Sequence, residues 1–595
     1  MRPAALLFGA LVAIVSLAAS SGSAPQGGGP ADSAQPQAGS PAGDLAHLEL
    51  LRKVEFPSAQ ECAVCHVDHY REWSVSRHAY AQISPTFNAY QATLYLLTQG
   101  TLGDFCERCH TQTGMSMGEP VIANNGERAE VSREGITCVV CHRVADAYGK
   151  ITGRFPLESG RLESAVFGPR PDDELRRVLS SPDEFPGFTK EPDGSGRRIH
   201  REARVLEQIS QPGFCGRCHD VRLVDGFRLE DAFSEYKQTL AAERGETCQD
   251  CHMGPLPGVP SAYPPAPAAF VGGRPTRPAR RTNHMFVGPD DPVEHPGIFP
   301  HNPEAMVLAT PEEWSSFDYE AGWGTDEFEA AEPDESRFPE IWAFADDRYY
   351  AREILDRQLE LRREAHERGT TLLRNGYGLG EIRVLRADGD LEFEVEVKNL
   401  TYGHSVPTGL IAERNVFLQV TVTDAGGRIV FRSGDLDPNG DVRDQHSLYV
   451  HAGKLPRDEQ LFNLRSPFLV RNVMGGEREQ VLPANYSIDP LIFVRPSPTP
   501  SLLLGGVRGV RLHKRNIEPQ GHRWARYRVE ARSLVGEGPY TANVKLVAGQ
   551  LPPHLIHAIA GAGFPYGLSA REVAEAIVRG YRVLWERDVL LGGDE

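Results

Sequence analysis

All ten cysteines of the 595-residue chain fall in copies of one pentapeptide. The five copies are Cys62-Ala-Val-Cys65-His66, Cys106-Glu-Arg-Cys109-His110, Cys138-Val-Val-Cys141-His142, Cys215-Gly-Arg-Cys218-His219 and Cys248-Gln-Asp-Cys251-His252. Two thiols two residues apart can add to the two vinyl groups of one porphyrin, and the next residue then sets an imidazole beneath the metal. Structural zinc also uses Cys-x-x-Cys pairs. An odd number of pairs does not fill four-thiolate sites, however, and zinc gives no reason for a histidine after every pair. Disulfides suit an exported chain but leave the histidines equally unexplained. The sequence therefore predicts five covalently bound haem c groups, with His66, His110, His142, His219 and His252 as proximal iron ligands.

Each iron has a second axial position, and 15 further histidines can compete for it. His78 follows the first motif in Tyr70-x-x-Trp73-x-x-x-x-His78-Ala79. On a helix it lies 12 residues beyond His66, or ~18 Å along the axis. It cannot then serve the iron of His66, and as a ligand it caps a neighbouring haem. His404 sits in Gly403-His404-Ser405-Val406-Pro407-Thr408-Gly409 between two strands, a loop able to push an imidazole outward. His284 ends a Pro-rich stretch, and His200 lies 15 residues before Cys215. These four are the candidate distal ligands. His47, His69, His295, His301, His446 and His451 have no assigned role. Met115, Met117 and Met253 are alternative thioether donors that suit a packing role better.

Five motifs between Cys62 and His252 leave fewer than forty residues for each haem. So little polypeptide cannot build an ordinary core, and the porphyrins must supply much of it. Such a domain is expected to need its cofactor to fold, with the haems close together. The predicted fold is a mostly α, haem-packed domain with little regular β, followed by a C-terminal β-sandwich and a terminal helix. Residues 58–300 form the pentahaem domain, with Pro255–Pro278 extended. Residues 301–377 combine an acidic loop with a long polar helix over Asp346–Arg374. Ten carboxylates and no Lys or Arg fall within 311–336.

Then the period changes. Leu391, Phe393, Val395 and Val397 alternate with charged residues, and a second strand places Val416, Leu418, Val420 and Val422 on one face. That is strand periodicity with one buried face. The turn Asp424-Ala425-Gly426-Gly427 leads into Arg428–Phe431 as a hairpin, and further strands fit Arg523–Ala531 and Tyr540–Val547. Residues 378–550 read as a sandwich. In 551–595 a helix starts at the capping box Ser569/Glu572, with Val573, Ile577, Tyr581 and Leu584 as its inner stripe.

At the other end, Arg2, an apolar run over Leu6–Ala19 and small residues at 20–24 read as a signal peptide over 1–24. Residues 25–57 are rich in Gly, Pro and Ala and read as a disordered tether. Haem attachment requires export, so the periplasm or cell exterior is expected, with tethering if the leader is retained. The mature chain has no expected membrane span. A formal net charge of −18 argues against nucleic acid as a partner.

The chain resembles the multihaem cytochrome c superfamily that includes the tetrahaem electron acceptor of hydroxylamine oxidoreductase and, more distantly, pentahaem nitrite reductase. The resemblance rests on Cys62–Ala79, Glu134–His142, Phe214–Asp220, Glu246–Met253, Asn283–Phe286 and Gly403–Gly409. It covers about 58–290 well and 378–550 loosely, and it implies distal ligands at His78, His284 and His404. The catalytic relatives differ: no Cys-x-x-Cys-Lys motif is present, and five motifs do not match an eight-haem enzyme. The expected function is electron transfer between redox partner proteins, or to a membrane electron-transfer complex, through mainly bis-His haems. The alternatives are oxidoreductase chemistry on a small nitrogen or sulfur species at one five-coordinate haem, and an assembly role for the β-domain. Sequence leaves the oligomeric state open.

Overall fold

The computed structural model describes residues 54–144, 152–153, 155–223, 227–298, 302–387, 389–471, 476–483 and 511–591. The signal segment, most of the tether, His47 and His301 lie outside these residues. The end of the expected tether is docked, not free. Phe56 is buried against Val131 and Val139, and the Glu55 carbonyl accepts the Gly160 N–H.

From residue 58 to 298 the chain folds into short helices, turns and two- or three-residue ladders. Each motif winds through a helical turn. The His66 N–H donates to the Cys62 carbonyl at 2.9 Å, and His219 to Cys215 at 3.0 Å. One turn therefore presents two thiols and an imidazole together. The helix after the first motif, Val67–Trp73, stops at Trp73, and the chain reaches His78 through turns. The Pro-rich stretch is not simply extended. It pairs Pro265–Ala266 with Ala279–Arg280 and Phe270–Val271 with Arg274–Pro275. It also bonds back to the first motif, where the Phe270 N–H donates to the Cys65 carbonyl.

The acidic segment is a correction to the expected solvated loop. Its aromatic residues matter more than its charges. Trp314 and Phe317 are buried with Trp342, and Trp323 and Phe338 pack around them. Several acids are used locally: Glu313 caps the helix Pro311–Ser315, and Glu329 pairs with the buried Arg348. The aromatic cluster continues through Trp73, Tyr80, Ala351, Ile354 and Leu355, fastening the segment to the haem domain.

The helix Ala345–Gly376 runs 32 residues. Ala351, Ile354, Leu355 and Gln358 are buried along it at helical spacing. No helix among the described residues is long and apolar enough to cross a membrane. Gly369 lies mid-helix, where glycine is normally unfavourable, for a steric reason. A Cβ there would stand 2.9 Å from the Gly288 carbonyl oxygen and 2.6 Å from Arg582 Nη1. Gly369→Ala gains about 1 kcal/mol of helix propensity but overpacks a contact at a cost of about 1–3 kcal/mol. A net loss of stability is expected, read as a lower urea midpoint at unchanged haem content.

The helix feeds directly into the β-domain, two antiparallel sheets over one core. One sheet has the order β1–β2–β5, from Tyr377–Arg386, Leu391–Asn399 and His522–Val529. The other has the order β4–β3–β6–β7, with β3 Asn415–Thr423, β4 Ile429–Ser433, β6 Tyr540–Gly549 and β7 Arg582–Leu591. Phe393, Val395 and Val397 of β2 share their core with Leu418, Val420 and Val422 of β3 and with Val544 and Leu546 of β6. The final helix has the expected Ser569/Glu572 capping box. It ends at Arg579, however, and the chain returns as β7 to pair with β6. Tyr581 and Leu584 are therefore not on its stripe. Gly580 ends the helix, and Leu584 instead joins the sandwich core.

Candidate cofactor-binding cavity

All ten cysteines line one continuous cavity of about 2690 Å³, and all ten are free of disulfide bonds. Thiols of different motifs touch: Cys62 faces Cys138, Cys109 faces Cys218, and Cys215 faces Cys248. The charge of Cys218 is also felt at Cys141. The fourth motif thus neighbours the second, third and fifth, while the first neighbours the third.

Ten histidines line the same cavity: the five that follow cysteines, together with His69, His78, His200, His284 and His404. Their rings are arranged in facing sets. His66 and His200 stack with centroids 6.3 Å apart and planes 15° apart. His252 and His404 do so at 6.4 Å and 18°. His78 and His219 lie 6.2 Å apart at 45°. Two imidazoles bound on opposite sides of one metal at about 2 Å place their centroids roughly 6 Å apart. These spacings are too long for ring contact and fit an interposed iron. His284 lies near enough to His142 for a charge there to oppose its protonation, as do His69 and His200. His69 packs edge-on against His284 at 4.7 Å.

Hydrogen bonds fix the tautomer. Nδ1 lies 2.7 Å from the Ala268 carbonyl in His66, 2.9 Å from Ala81 in His110 and 2.7 Å from Phe167 in His142. In His252 it lies 3.2 Å from Val287, in His284 3.0 Å from Thr282, and in His404 2.8 Å from Ser405. A carbonyl only accepts, so Nδ1 must carry the proton and Nε2 keeps its lone pair, as metal ligation requires. Burial works the same way. It pulls His78, His200 and His284 down to about 3, with neighbouring imidazoles assisting, so the rings stay neutral.

His295 makes a useful contrast. Its Nε2 lies 3.0 Å from the Phe317 carbonyl, its Nδ1 accepts the Gly297 N–H, and its ring packs among Trp314, Phe317 and Tyr319. Both nitrogens are used, so its role is structural. His446 pairs with Glu479 and stacks on His554, and His451 is exposed. Met115 and Met117 do not line the cavity, whereas Met253 does.

Two carboxylates that the sequence did not single out hold ligand loops in place. Glu72 accepts the His284 N–H at 2.8 Å and an Arg281 bond at 2.8 Å. Glu235 accepts from Ser405 N–H, the Thr408 hydroxyl and Asn516, so it clamps the His404 loop to the haem domain. Their only sequence signal is placement: Glu72 adjoins Trp73, and Glu235 belongs to no motif. Arg217 is 2 % exposed, and its Nε and Nη1 face the cavity wall without a hydrogen-bond partner. A haem propionate suits such an orphaned guanidinium.

His110 is arranged differently. Among the described residues no imidazole stands opposite it. Phe87 stacks flat on its ring at 3.9 Å and 6°. Around Cys106 and Cys109 the cavity wall carries Tyr90, Glu230, Glu413 and Arg414.

Residues 61–143, which hold the first three motifs, match the family model of cytochrome c554 and c-prime. No curated protein is detectably similar in sequence. Among solved structures, a penta-heme cytochrome c552 from Thermochromatium tepidum aligns at 15% identity with a TM-score of 0.46, covering 90% of this chain and 98% of that one. The matched segment and the repeated attachment motifs support a multihaem c-type cytochrome.

Proposed function

We propose that the chain is an exported pentahaem c-type cytochrome that passes electrons between redox partners, with four of its five haems held between two histidines. The supporting observation is three facing pairs of imidazoles 6.2–6.4 Å apart, with His66, His252 and His404 anchored through Nδ1 so that Nε2 is free. The pairs are His66 with His200, His142 with His284, His219 with His78, and His252 with His404. When bound, haem iron supplies a one-electron couple, and two imidazole ligands leave no position for substrate. The polypeptide's part is to fix the rings, exclude water and set the motifs side by side. The touching thiols suggest a branched route: the first motif joins the third, the third joins the fourth, and the second and fifth both adjoin the fourth.

The partners on this reading are redox proteins or a membrane electron-transfer complex, including one of the kind served by the tetrahaem acceptor of hydroxylamine oxidoreductase. A second reading has one specific observation in its favour. That no histidine among the described residues faces His110 suits a five-coordinate haem that takes a small ligand.

Two measurements test the proposal. A pyridine haemochrome assay with protein quantification is expected to return five haems per chain. Four or fewer, in protein matured by a competent host, overturns the count. The electron paramagnetic resonance spectrum is expected to show four low-spin irons and one high-spin iron. A single low-spin population removes the second reading and leaves the first.

A further inference from the structure

The first attachment turn is the one that reaches the surface. Val64, between its two cysteines, is 50% exposed, as is Val67, just after His66. Neither lines the cavity, so both face outward. At the other four motifs the residues in these places are buried or half-buried. Two arginine-bearing segments flank this turn. Arg197-Arg198-Ile199-His200-Arg201-Glu202-Ala203-Arg204 brings the ring opposite His66, with four arginines around it. Residues 254–289 hold four more and no acid. Both segments pack on the first motif. Ile199, Ala269 and Val271 share a cluster with Cys65, and the Arg197 charge reaches the Cys65 thiol. Arg198 is engaged by Glu61 and Glu163, and Arg204 by Glu202 and Glu158. Arg197, Arg201 and Arg274 are exposed, lie outside the cavity and make no ion pair among the described residues. Against these three charges the turn itself sets Asp68.

Resting on the electron-transfer reading above, we propose that this face, two outward valines flanked by unpaired arginines, docks an acidic one-electron carrier protein that exchanges its electron with the first haem. One electron crosses. The haem iron changes between ferric and ferrous as the partner's centre makes the opposite change, and no bond or proton moves. Charge complementarity names the partner. The chain has a formal net charge of −18, so an acidic protein is repelled over most of the surface and its approach is confined to a locally basic face. Arginine beside small apolar groups also suits the centre of a protein interface. The first motif adjoins the third and ends one arm of the branched route, where an electron enters or leaves. An anionic membrane also attracts arginines but offers the first haem no redox centre.

Photoreduced plant-type [2Fe–2S] ferredoxin, an acidic one-electron carrier, serves as the probe. It is mixed with the oxidised holoprotein in a stopped-flow instrument from about 10 mM to about 500 mM salt. The second-order rate constant is expected to fall steeply as salt rises. The combined variant Arg197→Glu/Arg201→Glu/Arg274→Glu is expected to lose roughly tenfold or more of it at low salt. Arg274→Glu alone is expected to lose a smaller part, and it decides the matter if the combined variant is not matured with parental haem content. The control Arg526→Glu/Arg532→Glu/Arg571→Glu makes the same change in net charge at exposed sites elsewhere and is expected to stay within about threefold of the parent. Equal slowing of the control, or parental rates in both face variants, overturns the docking face and leaves the electron-transfer reading standing. Unchanged ferredoxin rates with lost binding to phosphatidylserine vesicles make the arginines a membrane contact and overturn it as well. Exchange with a basic mitochondrial-type cytochrome c but not with ferredoxin overturns the face alone. Exchange with neither carrier overturns the electron-transfer reading together with the face.

Discussion

His404→Ala is expected to leave all five haems attached while converting the haem of the fifth motif from low to high spin. The Cys248 and Cys251 thioethers and the proximal His252 are untouched by the substitution, so attachment survives. What disappears is the ring that stands 6.4 Å from His252. Among the described residues no other imidazole stacks opposite His252, and the loop carrying His404 is held on both sides. Asn399 Nδ2 donates to the His404 carbonyl at 2.9 Å from within the β-domain. Glu235 of the haem domain accepts from Ser405 and from Thr408. Axial ligands set haem potentials over about 0.8 V, and loss of an imidazole, which favours ferric iron, moves the couple upward by on the order of 100 mV. Spectroelectrochemistry with magnetic resonance reads both effects. Glu235→Gln is a graded companion, since an amide can still accept one of the clamping bonds. A smaller shift in the same haem is expected. If His404→Ala retains the parental low-spin spectrum, the loop only joins two strands and the β-domain has no part in ligation.

The attachment motifs were legible in the sequence because their chemistry is local: the spacing of two thiols and an imidazole within one helical turn needs no tertiary information. The long helix and the strands β2, β3, β4, β5 and β6 were legible because their periodicity is unambiguous, as in Leu391 to Val397. Other features depended on contacts between distant residues. Which imidazole faces which motif is set by the tertiary path, and His200 and His66 are brought together only by the fold. The acidic segment was misread because its aromatics, Trp314, Phe317, Trp323 and Phe338, follow no simple period. β7 was misread because Tyr581 and Leu584 continue the helical spacing of Val573 and Ile577. Gly580 between them was the stop signal. The wall of Tyr90, Glu230 and Glu413 has no sequence signature, since each residue is ordinary until three segments converge.

His78 occupies the junction of the motifs, and His78→Ala is expected to slow electron movement through the whole chain. Its backbone belongs to the segment after the first motif. Its carbonyl accepts the Ile136 N–H at 2.9 Å, just before the third motif. That approach requires Gly135, which has φ of +63° and where a Cβ would stand 2.5 Å from the His78 oxygen. The ring meanwhile faces His219 of the fourth motif at 6.2 Å and leans on Phe286 at 4.5 Å. One residue thus ties three motifs together, and the fourth is the motif whose thiols touch those of the second and fifth. Removing the imidazole is expected to open the iron of the fourth haem and raise its potential most. Each shift of about 59 mV in a one-electron couple changes the equilibrium tenfold, so a rise near 100 mV makes that haem a trap for electrons. Transfer between the first and third haems on one side and the second and fifth on the other is then expected to slow by more than tenfold. Attachment at Cys62 and Cys65 should persist, because His66 keeps both its turn and its bond to Ala268. Stopped-flow oxidation of the reduced protein, with parent and variant side by side, is expected to resolve a fast phase and a slow phase where the parent shows one. Parental rates with a parental low-spin spectrum would mean that His78 caps no iron and that the fourth haem is not the junction.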